Sequence, residues 1–163
     1  MNNPERFFSI ANQAAVATTA ALATTFTGLL VGNPLGSGVR CKILEFGYAM
    51  TLAGSKAGAV GLMTGSCAVT AITASLTPAP IVGGGPTSKV LATAGQTIAT
   101  PVLNRICGGY GTLATTTWSQ LPMGIYIPRV PILLKPGRYV ATYTTLDTTA
   151  SFIFHFVWEE VLD

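Results

Sequence analysis

The patterned stretches of this chain repeat with a period of two. Thr, Val, Ile, Tyr and Phe dominate them, and such β-branched and aromatic side chains suit a pleated, half-buried surface. Clusters of Gly, Pro, Asn and Ser cut these stretches at short intervals, a spacing that points to an all-β sandwich or barrel. The clearest case is Ser151–Leu162. Its even positions carry Phe152, Phe154, Phe156 and Trp158, and its odd positions Ile153, His155, Val157, Glu159 and Val161. Both sets are largely apolar, so this strand is expected to be buried on both faces. One face would meet the core of its own domain and the other a neighbouring subunit.

The same reading places strands at 26–31, 40–52, 57–64, 89–94, 98–107 and 138–145. Asn33-Pro34-Leu35-Gly36-Ser37-Gly38 and Lys135-Pro136-Gly137 are strong turn signals. Residues 77–87 form a Pro- and Gly-rich loop, and Gly108, Gly109 and Gly111 are read as ending the strand before them. The Ala-rich stretch 14–23 suits either a short strand or a helix. The expected fold is an all-β jelly-roll β-sandwich of about 8–10 antiparallel strands. It would occupy residues 13–163 as one domain, with residues 1–12 as a short N-terminal arm.

Composition narrows the function classes. Only 9% of residues are charged, against about 25% in ordinary soluble domains. That excludes a coiled coil, and the 49% hydrophobic content argues against disorder. So few charges cover a surface poorly, which suggests that part of it is buried against other subunits. The net charge is +3, and the nine basic residues are scattered singly. No run or basic face points to nucleic acid, so direct nucleic-acid binding is not expected. Residues 7–39 carry no charge and are long enough to span a bilayer. They are studded with Thr, Asn12, Gln13, Asn33 and Pro34, however, and equally uncharged stretches recur at 57–88 and 106–128. The lack of charge is therefore a property of the whole chain, and no membrane partner is expected.

Candidate chemistry is sparse. His155 is the only histidine, and no G-x-S-x-G accompanies it, so a triad with Asp147 and a serine has little support. Cys41, Cys67 and Cys107 have no CxxC spacing and read as buried thiols in a reducing compartment. To bind zinc they would have to meet His155 from four separate strands. The glycine clusters at 83–85 and 108–111 lack the GK[ST] ending of a phosphate loop. Trp118, Tyr126, Tyr139 and Tyr143 could serve as a sugar platform but read better as packing. No catalytic residue, cofactor or metal is expected, and the chain does not read as an enzyme.

Two stretches carry a resemblance. The first is Asn33-Pro34-Leu35-Gly36-Ser37-Gly38 followed by a long strand. The second is Pro136-Gly137-Arg138-Tyr139-Val140-Ala141-Thr142-Tyr143-Thr144-Thr145 together with Phe156-Val157-Trp158-Glu159-Glu160. With these, the chain resembles small structural proteins of tailed bacteriophage virions, loosely from Ala14 to Val161. The resemblance implies a jelly roll that assembles, often as a homotrimer, to decorate or cement a capsid. Its partners would be copies of itself and the major capsid protein or other virion proteins. Its location would be the virion, most simply the capsid surface, after assembly in the host cytoplasm. One alternative is a tail, fibre or vertex head domain that binds host glycan. A second is a membrane-associated lysis protein using residues 7–39. The candidate subunit interface comprises Phe7 and Phe8 of the arm and Ile153, His155, Val157 and Glu159 of the last strand. His155 and Glu159 share one face if that strand stays regular.

Overall fold

The computed structural model describes residues 6–19, 21–67, 72–111, 123–145 and 149–163. Twelve strands occur among them, and no helix. In chain order they are β1 (Phe7–Ala11), β2 (Val16–Ala17), β3 (Thr25–Asn33), β4 (Val39–Leu52), β5 (Gly58–Ser66) and β6 (Ala79–Pro80). They continue as β7 (Leu91–Thr97), β8 (Val102–Tyr110), β9 (Met123–Tyr126), β10 (Ile132–Leu134), β11 (Arg138–Thr144) and β12 (Ser151–Leu162). All described pairings are antiparallel, in two sheets. Sheet A runs β10-β4-β12-β1-β6, with β2 added to β12 and β9 to β4. Sheet B runs β7-β3-β11-β5-β8.

The main core lies between the sheets. Sheet A supplies the even positions of β12, with Phe8, Ile10, Ile43, Phe46 and Met50, and sheet B answers with Leu29, Val31, Val60, Leu62 and Val140. Aromatic rings run through it. Phe46 lies 5.2 Å from Phe156 and 6.0 Å from Phe154 between ring centres, and Phe8 stacks on Trp158 at 5.9 Å. Such ring pairs add to the stabilisation from burial alone. A smaller apolar cluster covers the opposite face of sheet B, where Leu30, Met63, Tyr139 and Ala141 pack beneath Phe26, Ile72 and Ile98.

Buried polar groups tie the layers together. Asn33 sits at the first predicted turn, and its Nδ2 donates to Val39 O at 2.7 Å and Leu134 O at 3.0 Å. The predicted turn at Lys135-Pro136-Gly137 closes with Arg138 N–H donating to Lys135 O at 3.1 Å. Asn12, nearly buried, donates to Phe152 O and accepts from Phe154 N–H.

The structure departs from the sequence reading at two places. Residues 7–11 of the expected arm are β1, seated between β12 and β6. The strand expected over 98–107 is shifted: β8 starts at Val102, after Thr100 with a positive φ of 24° and Pro101 with no N–H to give, and it runs through Gly108 and Gly109 to Tyr110. A Cβ at Gly108 would collide with the Tyr48 hydroxyl, so glycine is needed within the strand. The Ala-rich stretch from residue 14 takes the strand alternative in its described part, as the two-residue β2. β12 is buried on its even face by its own core, and its odd face lies at the surface of the chain.

Candidate interaction surface

The odd face of β12 is the centre line of an open sheet surface. Pairing register builds that surface in rows. Ile153 is flanked by Ala49 of β4, with Met123 of β9 beyond it. In the next row His155 lies beside Gly47, then Ile125 on one side and Ala11 on the other. Val157 stands between Glu45 and Ser9, and Glu159 between Lys42 and Phe7. Lys42 in turn faces Leu133 of β10.

One end of this surface is apolar. Met123 is 77% exposed, Ile125 68% and Ile153 39%, and Ile127 and Val130 beyond β9 are exposed as well. Together with Tyr48, Ala49 and Gly124, several of them frame a shallow depression of about 470 Å³. Isolated exposed aliphatic residues are ordinary, but a contiguous group marks a contact site more often than chance.

The other end is polar and self-paired. His155 Nε2 meets Glu45 Oε1 at 2.8 Å, and Lys42 Nζ meets Glu159 Oε2 at 3.2 Å. Arg40 Nε meets Asp163 Oδ1 at 2.9 Å. Gly47 explains the position of the histidine. A Cβ there would fall inside the imidazole, so only glycine lets the ring lie across β4 toward Glu45. Regular register from His155↔Gly47 to Val157↔Glu45 makes Glu45 the diagonal neighbour of His155 on the same face.

The expected interface residues are thus largely brought together. Ile153, His155, Val157 and Glu159 share one surface, and Phe7 joins them through its pairing with Glu159. Phe8 does not, because it is fully buried in the main core against Trp158. The sequence reading missed Met123 and Ile125, whose four-residue strand is short and bounded by prolines. It also missed Glu45 and Lys42, which only the β4–β12 register connects to the histidine.

Among the described residues no group of three or more His, Cys, Asp or Glu is placed to hold a metal. The three thiols are free, and burial pushes all of them up, Cys107 to about 11. They are held as protonated thiols far from nucleophilic use. Asp147 and Trp118 lie outside the described residues. Tyr139 is buried, and the Arg105 guanidinium lies over the Tyr126 ring at 5.9 Å from its centre. No described helix is long and apolar enough to cross a membrane.

No protein family, curated protein or solved structure matches this chain. The surface of sheet A therefore has to be read from its own chemistry.

Proposed function

We propose that this chain is a non-enzymatic structural protein of a virion, a homotrimer that decorates or cements a capsid. The observation that carries the reading is the exposed apolar end of sheet A, formed by Met123, Ile125 and Ile153 beside self-paired charges. A stable subunit contact removes about 800 Å² per partner, roughly a tenth of the 8404 Å² that the chain exposes. Burying the apolar end supplies the driving force, at about 25 cal/mol per Å² of apolar surface. The polar end then fixes the register of one copy against the next. Lys42–Glu159 and Arg40–Asp163 are already paired within the chain, so they enter a contact without leaving an unpaired ion.

The chain passes from one sheet to the other at eight of the eleven connections between the described strands, and each long strand is flanked by strands distant in sequence, which supports reading the sandwich as a jelly roll. A trimer that bridges adjacent capsid subunits adds interface area that must be lost before the shell opens. The test is to mix the purified protein with shells assembled without it, sediment them, and heat the loaded shells. The expected result is saturable co-sedimentation and a higher temperature of shell opening. Shells that neither retain the protein nor gain stability would overturn the reading.

A further inference from the structure

The carboxylates of the described residues are all engaged. Glu45 meets His155, Glu159 meets Lys42, Glu160 meets Arg6 and Asp163 meets Arg40. A groove of about 680 Å³ is lined by the ends of β5 and β8, by β10 and by the start of β11, and its lining holds Arg105 and Arg138 but no acid. Arg129 lies two residues before the lining residue Pro131, and Lys135 directly follows Leu134. None of these four cations has a carboxylate partner among the described residues.

Arg105 is held in place before any ligand arrives. Its Nε donates to Asn104 Oδ1 at 2.8 Å, and its Nη1 to the Tyr126 hydroxyl at 3.1 Å and Val130 O at 3.3 Å. A guanidinium fixed in this way loses little freedom on binding, and with Nε and Nη1 engaged it offers its Nη2 to a carboxylate.

The other walls select the kind of ligand. Val102 is 62% exposed and Leu133 48% exposed. The groove's one aromatic residue, Tyr139, is buried, and its hydroxyl donates to Ala99 O at 2.7 Å. A sugar would find no ring to stack on, whereas aliphatic side chains beside guanidinium groups suit a peptide that mixes acidic and aliphatic residues. Strand β10 has β4 as its one strand neighbour among the described residues, so its outer edge can accept an added strand. We infer that this groove binds an extended acidic segment of a partner protein. Its carboxylates would meet Arg105 and Arg138, its aliphatic side chains Val102 and Leu133, and its backbone β10. The inference rests on the groove alone and does not require the trimer.

A fluorescein-labelled (Val-Glu)5 peptide tests it by anisotropy, with (Val-Lys)5 and polysialic acid as comparison ligands. The expected result is binding of (Val-Glu)5 only, weakening as salt rises, with amide shifts in 102–105 and 131–134. Arg138 is exposed, so Arg138→Gln should leave the melting temperature unchanged and weaken the peptide about tenfold, the scale of one charge-assisted bond. Adding Arg105→Gln should remove measurable binding. Equal binding of (Val-Lys)5, an affinity unmoved by Arg138→Gln, or shifts confined to the surface of sheet A would overturn the inference. So would binding of polysialic acid without binding of (Val-Glu)5, which would make the groove a site for acidic glycan.

Discussion

Glu160 has no solvent contact through its side chain, and both of its oxygens are bonded. Arg6 donates to its Oε2 through Nε at 3.1 Å and Nη2 at 2.6 Å. Its Oε1 accepts from Ser88 Oγ, Lys89 N–H and Val90 N–H. One side chain thus ties the residue before β1, the approach to β7 and the end of β12. A buried pair is not in itself stabilising, but removing one partner strands the other and costs about 3–5 kcal/mol. Glu160→Ala is expected to lose that much in urea unfolding, and a loss under about 1 kcal/mol would show that the clamp is dispensable. No sequence rule singles out this glutamate from its neighbour. Glu159 and Glu160 differ only in which face of β12 they occupy, and the alternation that decides it is visible from Phe152 onward.

At the scale of elements, most strands were legible because their residues and punctuation agree. The turns at Asn33 and Pro136 fall where their glycines and prolines place them. What escaped was whatever depends on a partner strand. Sequence alone makes both faces of β12 look apolar, and only the two-sheet packing shows which face the chain's own core covers. Gly108 and Gly109 looked like a break because the need for space beside Tyr48 comes from β4, far away in sequence. Phe8 belongs to the same class. Its stacking on Trp158 makes β1 part of sheet A, and Phe8→Ala should cost about 3–5 kcal/mol, read by urea unfolding, whereas a free arm would lose almost nothing. Gly47 and His155 form a linked pair across β4 and β12. Gly47→Ala should destabilise the fold by about 1 kcal/mol and much less in a His155→Ala background, since the coupling of touching residues is what a double-mutant cycle isolates. Additive losses would show that the ring does not depend on the glycine.

For the molecule as a whole, burial gives a direction to its alkaline behaviour. Burial raises Cys107 from 9.0 to about 11 and Tyr139 from 10.0 to about 12. The folded chain therefore keeps protons that the unfolded chain releases. The stability linked to them is complete below pH 9 and is lost as pH rises through 11 and 12. Thermal melts should show a steady midpoint up to about pH 9 and a decline above it, with Cys107→Ser reducing the part that begins near pH 9, to which Cys41 and Cys67 also contribute. A midpoint that rises between pH 9 and 11 would reverse the assigned sign. The same scale holds the central claim, that the apolar end of sheet A is covered by further copies of this chain. Ile125→Asp with Ile153→Asp places two charges on that surface without touching the core. Native mass spectrometry in the absence of detergent tests the claim most directly. The account predicts a species of three 16.8 kDa chains for the natural sequence and a folded monomer for the double variant. A natural chain that is monomeric at every concentration, or a double variant that still forms trimers, would contradict it.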